Sequence, residues 1–150
     1  MKNVIKLIYN FIFKTKRRNL TIKAVFYSAV SRFRIFFYPG GRLHRYLGEK
    51  GRETGTDAFS AEQQLNIRYV SDKVARMAKR VPWESKCLVQ AMVAQRLLRG
   101  FGIESTLYLG VTRDMDDGGK MKAHAWLRSG PHSVCGGRGE NYATVAKFRM

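Results

Sequence analysis

Between Pro82 and Trp126 the chain passes from helical to strand periodicity, with a cysteine at the start of the helix and a histidine in the strand. Pro82-Trp83-Glu84-Ser85-Lys86-Cys87-Leu88 sets the cysteine where a helix should begin. Proline disfavours helix in the Val81 before it, and Ser85 stands where it can cap the new helix. Ala123-His124-Ala125-Trp126 reads as a strand, and a period of two puts His124 and Trp126 on one face. A thiol at a helix N-terminus and an imidazole on a neighbouring strand are the two parts of a cysteine nucleophile and its base. The cysteine comes first, with enough chain between the two for a helix and a hairpin.

The rest of the chain divides into similar pieces. Helices are expected over 3–13 and 20–38, separated by the basic knot Lys14-Thr15-Lys16-Arg17-Arg18 and ended by Pro39-Gly40-Gly41. A short helix over 42–47 and a polar linker over 49–59 come next. Ser60-Ala61-Glu62-Gln63 has the form of a capping box and should open a helix to about Lys79, with Leu65, Val70, Val74 and Met77 as its apolar stripe. The next helix runs from about Ser85 to Arg99, where Leu88, Ala91, Met92 and Leu98 form a stripe and Gly100 and Gly102 end it. Strands are expected over 105–111, with Leu107, Leu109 and Val111 on one face, then over 122–128, around 133–135 and over 142–148.

Charge is spread unevenly. The formal net charge is +17, and residues 1–52 carry +12 of it, with 13 Lys and Arg against the single acid Glu49. The expected division is therefore a basic helical region over 1–52 and a second domain over 53–150. Such an excess calls for an anionic partner. Nucleic acid is the weakest choice, because no finger, helix-turn-helix or stacking-platform motif is visible. Bases interleaved with Ile, Leu, Phe and Tyr suit peripheral contact with an anionic membrane. The competing reading, of equal weight, packs this region on its own domain with its bases in solvent.

No uncharged run reaches the roughly 18 residues a spanning helix needs, and Lys6 and Lys14 interrupt the first apolar stretch, so no signal peptide is expected. With two cysteines, Cys87 and Cys135, no disulfide framework is expected. No ligand spacing involves His44, His124 or His132, so neither a metal nor another cofactor is called for. The expected location is the cytoplasm, with the inner face of the membrane as a peripheral resting place.

The chemistry at Cys87 derives from its place. The first turn of a helix has unpaired N–H groups and the positive end of the macrodipole, which together favour an anionic sulfur. Lys86 adds a positive charge beside it. The same N–H groups can serve the oxyanion of a tetrahedral intermediate, and Trp83 could wall the site from water. Against this, a lone cysteine on an apolar helix is usually inert core, and a lone histidine in a strand is usually structural. Cys135, before a glycine turn and with no base near it in sequence, is read as structural.

An ordered set of residues tips the balance. It runs Pro82, Cys87-Leu88, Ala91, Gln95, Leu97-Leu98 and Gly100, then Leu109-Gly110-Val111, then Ala123-His124-Ala125-Trp126, and closes with the tail Gly136 to Phe148. This set resembles the lasso peptide biosynthesis proteases, the stand-alone transglutaminase-like leader peptidases of bacterial lasso peptide clusters. The resemblance covers residues 60–148. It implies an α+β, papain/transglutaminase-like fold in which a Cys-bearing helix packs on a small antiparallel sheet, with an N-terminal helical extension. It implies hydrolysis of the bond between leader and core of a ribosomally made precursor, with Cys87 as nucleophile and His124 as general base. The implied partners are the precursor peptide, a small leader-recognition protein and the ATP-dependent cyclase that closes the macrolactam.

The family's third member is an acid on the strand after the histidine, and residues 129–139 contain no Asp or Glu. Glu140, Asn141 and His132 are the candidate orienting residues, and the sequence does not choose among them; a Cys–His dyad is the other option. Two rival functions stand beside the peptidase. One is a glutamine-modifying enzyme on the same fold, since fold does not fix reaction. The other is a non-catalytic scaffold within a peptide-maturation complex, favoured by the missing acid.

Overall fold

A computed structural model describes the backbone of residues 2–38 and 40–150, and the side chains of 19–38 and 42–150. Helix α1 spans Lys2–Phe37, α2 Ala61–Arg80 and α3 Cys87–Arg99. Five strands lie along the chain in the order β1 (Glu49–Lys50), β2 (Thr106–Asp114), β3 (Lys120–Ser129), β4 (His132–Cys135) and β5 (Ala143–Arg149). They form one antiparallel sheet in the spatial order β1-β5-β2-β3-β4. Helices lie on one face of this sheet, so the architecture is α+β.

Helix α3 is the centre of the packing. Val89, Ala91, Met92, Val93, Ala94, Gln95, Leu97 and Leu98 are all buried, which is a helix covered on nearly every side. Helices α1 and α2 and the sheet all pack on it. The sheet contributes Leu107, Ala125, Leu127, Val134 and Phe148 to the same core. The one buried polar side chain of α3, Gln95, donates from Nε2 to the Phe148 carbonyl at 3.3 Å, so its burial is compensated.

Helix α2 opens as its sequence directs. Ser60 Oγ accepts from the Gln63 amide at 3.2 Å, and Gln63 Oε1 accepts from the Ser60 amide at 2.9 Å, completing a capping box. Its buried stripe is Ile67, Val70, Val74 and Met77. Leu65, expected in that stripe, is exposed; the 67-70-74-77 spacing keeps the helical period, and Leu65 lies off it.

Three other expectations change. The basic knot does not divide the N-terminal region, because α1 runs unbroken through it. Lys and Arg are good helix formers, no Gly or Pro interrupts residues 2–37, and a like-charge pair such as Lys14 and Arg18 costs only about a few tenths of a kcal/mol. The segment expected as a linker is sewn to the sheet instead. Glu49 and Lys50 pair with Arg149 and Phe148, the Gly51 amide donates to the Lys147 carbonyl at 2.8 Å, and the buried Thr54 donates its amide to Thr106 Oγ1 at 2.8 Å. Ser85 does not cap α3. Lys86 occupies the cap position without a side-chain bond, and Ser85 instead faces Met77 Sδ at 3.9 Å.

The N-terminal helix also belongs to the core. Leu20 and Ala24 are buried in one cluster with Val93, Leu97 and Leu98, and Leu47 joins them. The phase of α2 gives a direct test. Ile67→Ala should lower the unfolding free energy by about 2–5 kcal/mol, while Leu65→Ala should stay within about 0.5 kcal/mol. Urea unfolding of both variants checks it, and equal losses would mean that the stripe is phased otherwise.

Candidate functional site

Cys87 is the first helical residue of α3, half-buried and packed against the core. The loop before it is held from two sides. Trp83 Nε1 donates to Ser28 Oγ at 3.2 Å, and Arg32 Nη1 donates to the Glu84 carbonyl at 2.6 Å, so α1 grips the residues that lead into the helix. From within α3, Gln90 Nε2 donates to the Ser85 carbonyl at 2.8 Å. The helix N-terminus therefore has a fixed approach, and the thiol sits where first-turn amides have no helical acceptor.

His124 lies on β3, opposite Gly110 of β2. Its ring stacks with Trp126 at 6.1 Å and tilts against Tyr142 at 4.8 Å, so the expected shared face of His124 and Trp126 is observed. This face is turned away from α3, because Ala125 and Leu127 are the β3 residues buried under the helices. His124 Nε2 lies 2.7 Å from the Gly136 carbonyl oxygen. A carbonyl can only accept, so Nε2 carries the proton and Nδ1 is left as the basic nitrogen.

Cys87 is close enough to Cys135, at the end of β4, to act on it electrostatically, and His124 bonds to Gly136 next to it in the chain. Among the described residues no hydrogen bond joins Cys87 to His124. The candidate orienting residues stand elsewhere. His132 is at the β3–β4 turn, paired with Ser129 and stacked on Phe59 at 6.3 Å, five residues along β3 from His124. Glu140 and Asn141 are exposed in the turn before β5, and neither hydrogen-bonds to His124. The group that does so is the Gly136 carbonyl. A backbone oxygen has no sequence signal, and Gly136-Gly137-Arg138-Gly139 reads only as a turn.

The turn has to be glycine-rich to fold over the sheet. Gly136 has φ +77°, and a Cβ there would collide with the Ala125 carbonyl and with Trp126 Cα at 2.8 Å. Gly110, across the strand pair, leaves room for the ring: an added Cβ would meet Trp126 Cζ3 at 2.7 Å and Tyr142 Cβ at 2.9 Å. Trp126 is buried by this arrangement and stacks on Tyr108 at 5.4 Å with the planes 5° apart.

Beside these rings the same face carries a groove of about 510 Å³, whose walls include Tyr108, Trp126, Arg128, Ser133, Arg138 and Thr144. Glu53 gathers its charges: it accepts from the Tyr108 hydroxyl, from Arg128 Nη2 at 3.1 Å and from Lys147 Nζ at 2.9 Å. The Tyr108 hydrogen bond, and after it that of Lys147, lowers the Glu53 carboxyl from its ordinary value. Burial, reinforced by Glu53, raises the Tyr108 hydroxyl. Nothing in the local sequence links Glu53 with Tyr108, Arg128 and Lys147; the fold brings them together. Among the described residues no group of three or more His, Cys, Asp or Glu side chains comes together as a metal site would need.

Cys135 is half-buried as a residue, with its thiol removed from water. Burial is the main cause that pushes it up from 9.0 to about 12. Iodoacetamide near neutral pH should therefore label Cys87 well before Cys135. The linkage has a sign: between pH 9 and about 12 the unfolded chain gives up this proton while the folded chain keeps it, so stability falls as pH rises. Over that window the unfolding free energy of the wild type should fall more steeply than that of Cys135→Ala, by up to about 1.4 kcal/mol per pH unit. Parallel urea-unfolding slopes in the two proteins, or equal labelling of both thiols, would contradict this.

The arrangement of a cysteine at the start of a central helix, an antiparallel sheet beneath it and a histidine on an inner strand can be compared with known proteins. A family model described as the transglutaminase-like superfamily matches residues 32–149. No curated protein and no solved structure matches the chain significantly. The family match takes in α2, α3, all five strands and the last six residues of α1, and with it the chain belongs to the transglutaminase-like superfamily.

Proposed function

We propose that this protein is a cysteine peptidase that removes the leader from a ribosomally made lasso peptide precursor before the macrolactam is closed. Membership of the superfamily supports cysteine-based acyl chemistry in general. The resemblance of Pro82 to Gly100, Leu109 to Val111 and Ala123 to Trp126 to the lasso leader peptidases supports the narrower substrate. The observation that carries the reading is the bond from His124 Nε2 to the Gly136 carbonyl, which leaves Nδ1 free to act as a base. An imidazole oriented through one nitrogen and reactive through the other is what a Cys–His pair needs.

In this mechanism His124 Nδ1 takes the Cys87 proton as the sulfur attacks the carbonyl carbon of the leader–core bond. The Cys87 amide, one of those the helix leaves unpaired, stabilises the oxyanion. The imidazolium returns the proton to the leaving amine of the core, which departs and leaves the leader as a thioester on sulfur. Water, deprotonated by the same imidazole, then releases the leader acid and restores the thiol. His124 faces away from α3 in this structure, so the step requires a rearrangement at the end of β4 that brings Nδ1 to the sulfur. The groove along Tyr108, Trp126 and Arg138 lies on the imidazole's face of the sheet and suits an extended peptide. A small leader-recognition protein and an ATP-dependent cyclase are the partners this role requires.

Incubation with precursor peptide and the leader-binding partner, read by mass spectrometry, tests the proposal. The wild type should give two fragments and Cys87→Ala none. His124→Ala should lose about 10²–10⁴-fold in rate, while His132→Ala and Cys135→Ala keep most activity. A gain of about one mass unit without cleavage would mean deamidation at glutamine instead. Processing that survives in Cys87→Ala would favour the scaffold reading, for which the lack of a direct Cys87–His124 bond is the supporting observation.

A further inference from the structure

Helix α1 has two apolar faces, and the fold uses one. Leu20, Ala24, Tyr27, Ser28, Ser31 and Ile35 face the core side, four of them buried and the other two packed against the core. At 100° per residue, Ile22, Val25, Phe26, Phe33, Phe36 and Phe37 gather on the opposite side in an arc of about 120°. All six are exposed, with Ile22 and Phe26 at 62 % and Phe36 at 77 %. A contiguous apolar strip of this kind marks an interaction surface.

Charge identifies the partner. On the same helical wheel Lys23 and Arg34 border the strip on one side and Arg32 on the other. Residues 1–48 contain 11 Lys and Arg and no Asp or Glu. Aromatic rings along the middle and basic side chains along both margins fit a helix lying in an anionic bilayer, with rings below the headgroups and cations reaching the phosphates. A second copy would bring two chains of net charge +17 together. Among the described residues no helix is long and apolar enough to cross a membrane, so the contact is one of surface.

We infer that α1 is a bilayer-surface helix that seats this protein on anionic lipid. Its C-terminal rings Phe33, Phe36 and Phe37 share a groove with Trp83, Glu84 and Lys86, the residues that lead into Cys87. Lipid contact therefore holds the N-terminal end of α3 close to the membrane surface.

The test is co-sedimentation of the full chain with vesicles of phosphatidylcholine alone and of phosphatidylcholine mixed with phosphatidylglycerol. Wild type should bind the mixed vesicles, bind the neutral ones weakly and weaken as salt is raised. The triple variant Phe26→Ser, Phe33→Ser, Phe36→Ser should lose more than about tenfold in partition, whereas Leu65→Ser, an exposed leucine on α2, should lose nothing. Phe36→Trp provides a second readout that does not depend on the triple variant folding: its emission should shift to the blue with mixed vesicles beyond any shift of the wild type. Absence of binding to mixed vesicles, equal partition of wild type and a folded triple variant, or an unshifted Phe36→Trp would each overturn the inference. So would a dimer in buffer that the phenylalanine substitutions dissolve, because the strip would then cover a second copy.

Discussion

Everything in this molecule is positioned by the burial of α3. A thirteen-residue helix with eight buried side chains cannot be stable at a surface, and it is enclosed by α1, α2 and the sheet. The enclosure leaves the two ends of the helix nearest solvent, with Arg99 exposed at one and Cys87 half-buried at the other. Burial of the hydrophobic body and partial exposure of the N-terminus come from the same packing. The N-terminal end with its unpaired amides is thus partly accessible without exposing the core.

Strand β3 makes the complementary division. Ala125 and Leu127 are buried beneath the helices, while His124 and Trp126 face the other way, into the rings of Tyr142 and Tyr108. That outer face is polar at its margins and aromatic at its centre, and Gly110 and Gly136 leave the space for it. The turn after β4 then brings its carbonyl to the imidazole. A side-chain acid at this point would place a charge beside the histidine, whereas the Gly136 carbonyl orients the ring as a neutral acceptor.

Much of this is legible in the sequence, and the failures share a cause. The capping box at Ser60, the start of α3 near Cys87, the alternation of Leu107 and Leu109 and the shared face of His124 and Trp126 all depend on residues close in the chain, and all appear. The unbroken α1 is hidden because a run of charges looks like a boundary, although Lys and Arg continue a helix readily. Hydrophobicity alone sends Leu65 to the core, and the phase of its neighbours overrules it. The Glu53 network and the Gly136 contact have no local signal at all. The first joins residues up to 94 apart in sequence, and the second uses an atom common to every residue.

The two faces of α1 place its exposed phenylalanines opposite the side chains that hold the approach to Cys87. Ser28 and Arg32 hold Trp83 and Glu84, so displacement of α1 would loosen the loop that fixes Cys87. The opposite face carries the exposed phenylalanines. A rigid helix with one side on the core and the other free transmits a contact on its outer side directly to the position of its inner side. Had the basic residues belonged to a disordered tail, binding through them would have tethered the domain without orienting it. In a continuous helix packed on α3, a contact made through its outer side chains would also fix the loop that leads into Cys87.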